Sequence, residues 1–489
     1  MNITKNDLFY VFMSIVVALI GVIAVSNANT KVGLYGLLGL LAIAVVMAII
    51  IKPSLGANIL VFAIFTNISD SLTTQGFPGI IKPLVVIVAF GLLVRYLYVG
   101  QLPVWHQKTV RIEFFLLAYF MVVIASFLVA SEKDQALTEI MDLGKDIVII
   151  YCVLFALRDS QSWKQTTWLI VITTAALCCL SLYQLITHNY NQTFFNLSSI
   201  TMDQVFGDSS TPRIGGPINA PNLWGQILVA VSTLLVFRII HEKRTLIKLA
   251  ALFMLGVISY IILNTYSRGA YLVFAIDVVL ILFVFEKRFN PIIAFAGLSI
   301  LILLIPFLPA TYRDRFITLS AFTAENGIYQ DTSFRGRSSE MLTGLAMFTA
   351  HPILGVGAGN YPTNYQLYAQ LIGIEFRAQA RDPHSLYVQL LAETGVLGTI
   401  AFLGMVFFLI RALNRACRNI ELSPHLHDWL PWVSAIRLAI ISYLLTSIFL
   451  HNAYIRYFWI LVAMALAGIQ ITDSLLKNSE RSSSIEARH

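Results

Sequence analysis

Residues 381–387 have the sequence Arg-Asp-Pro-His-Ser-Leu-Tyr and close a polar run, residues 311–383, in a chain that is otherwise strongly apolar. Of its 489 residues, 57% are hydrophobic and only 12% are charged, whereas soluble globular proteins carry about 25% charged residues. Apolar runs of about 20 residues, long enough to cross a bilayer as a helix, recur along the chain. The sequence therefore predicts an all-α, polytopic integral membrane protein with a large polar loop outside the bilayer.

The lengths of the apolar runs predict about 12–14 transmembrane helices. Lysine and arginine concentrate in alternate connections, such as those that carry Arg95, Arg238 and Arg411. Because cytoplasmic loops carry this excess, both termini are expected in the cytoplasm, and the long connections at 188–218 and 309–383 are expected on the outer face. The predicted spans are 8–26, 33–51, 56–70, 80–99, 112–131, 136–157, 163–187, 220–239, 245–265, 268–285, 291–308, 394–414, 430–450 and 454–475.

This topology divides the chain into five segments. N-terminal transmembrane helices occupy 1–210, and central helices with candidate anion-binding arginines occupy 211–308. An outer loop with short helices follows at 309–393, where residues 338–350 predict an amphipathic helix. C-terminal helices occupy 394–477, and a polar tail at 478–489 is expected to be disordered.

The composition gives no sign of several other classes of protein. The net charge of +7 is explained by the cytoplasmic loops, and no pattern of nucleic-acid binding is present. The four cysteines show no Cys-x-x-Cys or Cys/His spacing, so neither a disulfide framework nor a metal site is expected.

The predicted outer face carries nine arginines against three lysines. The planar guanidinium group suits bidentate binding of phosphate. Any one of these arginines can instead be a solvated charge or a headgroup contact, but together they predict a site for pyrophosphate or another polyanion. The candidates are Arg213, Arg268, Arg335 and Arg337. Asn222 and nearby backbone amides can also face an anion, whereas Asn219 is equally well explained as a helix N-cap.

His384 is the candidate catalytic base. Asp382 as N-cap and Pro383 at the first helical position would place His384 in the first turn of a helix. The helix dipole disfavours imidazolium there, so a neutral histidine that accepts a proton is expected. Arg381, Asp382 and Tyr387 are the candidate supporting residues, and a purely structural histidine is the alternative.

Other polar features receive structural interpretations. The glycine-rich stretch at 351–360 lacks the Lys-Ser/Thr of a P-loop and predicts a tight turn with close packing. Glu393 precedes small residues that allow helices to approach closely. Lys145 is near enough in sequence to pair with Asp142 or Asp146.

The sequence resembles the O-antigen ligase/polymerase superfamily between residues 213 and 398. The motifs that carry the resemblance are Arg213-Ile-Gly-Gly with Asn219-Ala-Pro-Asn222, Ser267-Arg268-Gly269, the stretch at 351–360, and His384-Ser-Leu-Tyr with Glu393-Thr-Gly-Val-Leu-Gly398. Members often have Asn after the histidine, where this chain has Ser385.

The resemblance implies a GT-C-like fold and an inverting, metal-independent glycosyltransferase without a cofactor. Such enzymes move a glycan from undecaprenyl pyrophosphate to an acceptor hydroxyl on the periplasmic face of the bacterial inner membrane, among membrane lipids and without nucleic acid. Ligation of O-antigen to lipid A-core is the first expectation. Repeat-unit polymerisation and glycosylation of a protein remain open.

A transporter of lipid-linked sugars is the alternative from another class. It also needs many helices and cationic residues, but it predicts polar groups near the membrane midplane and broken, repeated helices. The sequence instead concentrates its candidate residues on one face.

Overall fold

In a computed structural model of the chain, the structure describes residues 31–99, 108–206, 209–281, 332–372, 379–451 and 453–486. The predicted spans at 8–26 and 291–308 lie outside these residues. The all-α, polytopic prediction is confirmed, because six helices within these described residues are long and apolar enough to cross a membrane. They are Ser160–Thr187, Pro221–His241, Thr245–Asn264, Leu386–Glu421, Pro424–Phe449 and Arg456–Ser479.

The first half of the described chain contains seven helices and a β-hairpin. The helices are α1 (Lys31–Ile51), α2 (Ser54–Phe65), α3 (Ile68–Thr73), α4 (Ile81–Val99), α5 (Val110–Ser126), α6 (Lys133–Ala156) and α7 (Ser160–Thr187). The antiparallel hairpin, β1 (Ser199–Phe206) with β2 (Ser209–Gly216), was not predicted from the sequence.

The second half is helical throughout. Its elements are α8 (Pro221–His241), α9 (Thr245–Asn264), α10 (Arg268–Leu280), α11 (Thr332–Ala350), α12 (Tyr361–Ile372), α13 (Leu386–Glu421), a 3-10 turn (Pro424–Trp429), α14 (Leu430–Thr446), a second 3-10 turn (Ser447–Phe449) and α15 (Arg456–Glu486). The tail that was expected to be disordered continues α15 as far as Glu486, since extending a formed helix adds one hydrogen bond per residue without a new nucleation step.

Burial separates a central group of helices from peripheral ones. In the apolar windows of α8 and α15, 78% of residues are buried, compared with 28% in α9. The Trp163 indole in α7 donates to the Met464 carbonyl at 2.8 Å and ties α7 to α15. Peripheral helices expose large apolar side chains, such as Leu97, Leu246 and Phe253. An apolar exterior of this kind is stable against lipid rather than water.

Alternate connections lie at opposite ends of the bundle. At one end, here called the site end, the Asn67 side chain donates to the Pro217 carbonyl at 2.9 Å. At the other end, the rings of Trp163 and Trp429 are 5.1 Å apart, and Lys243 lies 3.8 Å from Asp428. The site end comprises the described residues of the connections at 66–80, 127–132, 188–220, 265–267, 351–360, 379–385 and 450–455.

The two glycine-rich motifs interlock at the site end. Gly395 interrupts α13 with left-handed backbone geometry (φ 63°, ψ −162°), and a Cβ there would lie 2.3 Å from the Ile353 carbonyl oxygen. The turn at 351–360 supplies hydrogen bonds to backbone groups at this interruption. The Val356 amide donates to the Ala392 carbonyl at 2.8 Å, and the Val396 amide donates to the Pro352 carbonyl at 2.8 Å. Two motifs about 40 residues apart therefore form one structural unit.

Candidate functional site

Three helices at the site end are each preceded by a residue with the same unusual backbone conformation. Asn219, Tyr266 and His384 have positive φ angles of 51°, 53° and 45°, and each lies two residues before the first residue of α8, α10 or α13. Left-handed geometry costs a residue other than glycine about 1–3 kcal/mol. Asn219 is therefore not the N-cap of α8, since that position is taken by Ala220.

Arg213 and Asn222 contact each other directly. The Arg213 guanidinium donates through Nη2 to Asn222 Oδ1 at 2.9 Å and through Nε to the Thr265 carbonyl at 3.0 Å. Gly216, three residues after Arg213, allows the hairpin to pack on Trp224, because a Cβ at Gly216 would be 2.5 Å from the indole. The hairpin, α8 and the end of α9 thus hold this guanidinium in one position.

Arg268 is the first residue of α10 and is half-buried. The N-cap is Ser267, whose hydroxyl accepts a hydrogen bond from the Ala270 amide at 3.5 Å. A Cβ at Gly269 would lie 2.9 Å from the Phe449 ring, so glycine allows α10 to approach the connection that carries His451. The predicted helix start at Ser-Arg-Gly is confirmed.

The other two candidate arginines lie at the start of α11. Arg337 is half-buried and precedes Glu340 by three residues on the same helix, a spacing that places two side chains on neighbouring positions. The side chain of Arg335 lies outside the described residues. So do Arg313, Arg315 and Arg377.

His384 does not lie in a helix, contrary to the prediction. Ser385 is the N-cap and α13 begins at Leu386, because left-handed geometry at His384 turns the chain before the helix starts. Its Nε2 lies 3.6 Å from Oε2 of Glu340, a carboxylate that is 3% exposed. The His384 ring therefore faces a buried carboxyl group instead of lying in the first turn of a helix.

A second histidine, His451, completes a four-residue cluster. Its ring centroid lies 5.4 Å from that of His384, with the planes at 70°, and its Nε2 lies 3.3 Å from Asp382 Oδ2. Burial lowers the pKa of the His451 imidazolium below its ordinary value of 6.5, and the Asp382 carboxylate opposes this shift. His384, Glu340, His451 and Asp382 are called the histidine cluster below.

The remaining predicted support residues have different surroundings. The Tyr387 hydroxyl donates to the Leu444 carbonyl at 2.9 Å and thereby ties the start of α13 to α14. Arg381 is half-buried, and among the described residues its Nε has no hydrogen-bond partner.

A polar cavity of about 350 Å³ lies against the histidine cluster. Asp382 and His451 form part of its wall, whereas Arg213, Arg268 and Arg337 do not. Five carboxylates line it, together with Lys145, Arg456 and several polar side chains. The carboxylates are Glu139, Asp142, Asp146, Asp382 and Glu393.

Glu393 forms the buried wall between the cavity and the interlocked turn. Its Oε2 accepts hydrogen bonds from Tyr454 at 3.0 Å and Gln389 at 3.3 Å, and its Oε1 accepts from the Tyr361 amide at 3.3 Å. These contacts agree with the predicted structural role. The predicted pairing of Lys145 is also observed, with Asp142 at 2.5 Å.

Sequence reasoning missed Glu340 and His451. Glu340 lies in the helix predicted to be amphipathic, and its burial (2% exposed) has no local signal. His451 lies in a short connection between two apolar helices. Its predicted location at the same end as His384 was the signal that could have paired the two histidines. Among the described residues, no group of three His, Cys, Asp or Glu side chains is arranged to hold a metal ion.

The comparisons with known proteins agree with this architecture. A model of the family described as O-antigen ligase matches residues 253–403, a segment that contains Arg268, the interlocked glycine motifs and His384. The apolar helices define a multi-pass membrane protein. The match confirms the predicted resemblance and supports placing this membrane protein in the O-antigen ligase superfamily. No curated protein matches the chain.

Proposed function

We propose that the chain is an inverting glycosyltransferase that moves a glycan from undecaprenyl pyrophosphate to an acceptor hydroxyl, with O-antigen ligation to lipid A-core as its reaction. The observation that carries the proposal is the pairing of the half-buried His384 with the buried Glu340, at the end of the bundle where the Arg213 guanidinium is also held. The O-antigen ligase family match supports the same class of reaction.

His384 is the proposed general base. As the acceptor oxygen attacks C1 of the donor sugar, its proton passes to the imidazole, and Glu340 stabilises the imidazolium that forms. The bond between C1 and the pyrophosphate oxygen breaks, and its electron pair leaves with the lipid pyrophosphate. Attack from the face opposite the leaving group inverts the anomeric centre.

The arginines are the proposed site for the pyrophosphate. Negative charge grows on the leaving group in the transition state, and preorganised cations stabilise it more strongly than the ground state. Arg213 is preorganised by Asn222 and Thr265, and Arg268 is fixed at a helix start. Arg335 and Arg337 on α11 are proposed to join them from the outer loop.

The site end is proposed to face the periplasm, with both termini in the cytoplasm. The lysine- and arginine-rich connections lie at the opposite end of the bundle, as expected for cytoplasmic loops. The exposed apolar side chains of the peripheral helices offer a lipid-facing surface for the prenyl chain. This arrangement leaves the histidine cluster accessible from the outer side.

A transfer assay with competing acceptors tests the proposal. Purified protein in detergent and chelator would receive an undecaprenyl-pyrophosphate-linked glycan together with lipid A-core and a second lipid-linked repeat unit. Product on lipid A-core supports ligation, and a lengthened lipid-linked glycan would instead establish the polymerase reaction. Transfer to neither acceptor contradicts the proposal and leaves movement of the lipid-linked sugar across the membrane as the function to test.

A further inference from the structure

The cavity beside the histidine cluster is lined mainly by acceptor groups, unlike the arginine site. Its five carboxylates face only two side chains with a fixed positive charge, and both of these already have acidic neighbours. Lys145 lies 2.5 Å from Asp142, and Arg456 lies 4.0 Å from Asp70. An anionic ligand such as pyrophosphate would have to compete with these acidic neighbours for both cations.

Asp146 is a buried side chain of the cavity with a hydrogen-bond acceptor that is unpaired within the described part of the chain. It is 1% exposed, it lines the cavity, and its Oδ1 has no hydrogen-bond partner among the described residues. Buried polar atoms are nearly always satisfied, and leaving one without a partner is costly. A carboxylate oxygen accepts hydrogen bonds, so the missing group is a donor such as a hydroxyl or an ammonium.

Two amide side chains that line the same cavity make their contacts with other residues. The Gln135 amide donates to Glu139 Oε1 at 3.2 Å, and the Gln389 amide donates to Glu393. The Gln389 carbonyl accepts from the Ala453 amide at 3.1 Å. Among the described residues, Asp146 Oδ1 thus stays without a donor although other polar groups of the lining are paired.

The position of the cavity connects it to the proposed reaction. Asp382 and His451 belong both to its wall and to the histidine cluster, so a molecule in the cavity lies next to the group around His384. Its volume of about 350 Å³ falls within the range of roughly 300–1,000 Å³ that is usual for small-ligand sites.

We infer that this cavity binds the acceptor saccharide through its hydroxyl or amino groups and selects neutral or amine-bearing sugars over anionic ones. This inference rests on the proposed function and adds a binding site for the acceptor to it. Asp146 and Glu139 accept hydrogen bonds from the sugar, whereas a phosphorylated or carboxylated sugar residue would compete with Asp142 and Asp70 for Lys145 and Arg456. The donor pyrophosphate stays on the arginine side of the cluster.

Binding of three disaccharides to the full-length protein in detergent tests the inference without requiring transfer. Saturation-transfer NMR would compare cellobiose, a glucosamine disaccharide from chitosan, and digalacturonate. We expect binding of the first two, weakened about tenfold in Asp146→Asn because an amide oxygen is a weaker acceptor than a carboxylate oxygen. Asp134→Asn is the matched control, since it removes the same charge from the exposed start of the same helix. Glu139→Gln is a second variant if Asp146→Asn does not fold.

The outcomes separate the inference from the proposed function. Binding with the expected charge preference, but no transfer in any assay, would overturn the function and leave the cavity assignment in place. Transfer with an unchanged acceptor KM in both Asp146→Asn and Glu139→Gln would overturn the cavity assignment and leave the function in place. Equal binding of digalacturonate, or no binding of any disaccharide, also contradicts the inference.

Discussion

At the scale of single residues, the site combines a guanidinium held by hydrogen bonds with a half-buried histidine beside a buried glutamate. Arg213 uses two of its donors on Thr265 and Asn222, which fixes the direction of the remaining N–H groups. His384 lies next to Glu340 and His451. Each of these side chains is oriented by a neighbour before any substrate binds, which lowers the reorganisation required during reaction.

Arg213→Lys is expected to raise the KM for the donor about tenfold, with a smaller change in the KM for the acceptor. Lysine keeps the charge but cannot hold Asn222 and the Thr265 carbonyl while it also contacts phosphate. Steady-state kinetics with each substrate varied in turn measures this. Arg411→Lys at the opposite end of the bundle is the control. An equal change in both KM values would argue against a donor-specific role.

His451 predicts a decline of stability in mild acid. Its pKa is lowered in the folded protein, so the unfolded chain binds more protons as the pH falls through 6.5, and the folded state loses stability. Above that pH the contribution is fully present. Thermal unfolding in detergent between pH 7.5 and 5.5 should show a smaller decline for His451→Gln than for the wild type. Identical declines would contradict the assignment.

At the scale of elements, glycines decide how the helices meet at the site end. Gly395 breaks α13 so that the turn at 351–360 can bond to it, and this places Glu393 in the cavity wall. Three helices also begin just after a residue with left-handed backbone geometry, which turns the chain sharply before the helix. These residues are Asn219, Tyr266 and His384. The backbone geometry just before these helices, rather than helix length, determines where the candidate residues point.

Gly395→Ala is expected to destabilise the protein by more than about 3 kcal/mol, because alanine meets both left-handed geometry and a backbone oxygen at 2.3 Å. Gly256→Ala is the matched control: a Cβ at this position in α9 has no neighbour within 4 Å, and alanine is the better helix former by about 1 kcal/mol. Thermal unfolding and yield of folded protein provide the measurement. Equal stability of the two variants would contradict the interlocked arrangement.

At the scale of the whole molecule, the sequence predicted the helices better than the site. Helix bounds followed from apolar runs, so α7 and α9 lie within about three residues of the predicted spans. The start of α13 was mispredicted because Asp-Pro is a strong local N-cap signal, and tertiary contacts overrode it at His384. Glu340 and His451 meet His384 only through folding, so no local pattern could pair them.

The arrangement of the connections predicts the sidedness of the protein. In a variant without its four cysteines, single cysteines would be introduced at the exposed positions Asn189, Gln379 and Lys243. A membrane-impermeant thiol reagent added to spheroplasts should label the first two, which lie at the site end, and leave the third unlabelled. Labelling of Lys243→Cys alone would reverse the proposed orientation.

The most direct test of the central claim is the rate of glycan transfer by His384→Ala under single-turnover conditions, with donor binding measured separately. We predict a rate lower by roughly 10²–10⁴, as expected for loss of a general base, with unchanged donor affinity. Glu340→Gln should show a smaller loss of the same kind, since it weakens stabilisation of the imidazolium without removing the base. A wild-type rate in His384→Ala would contradict the account.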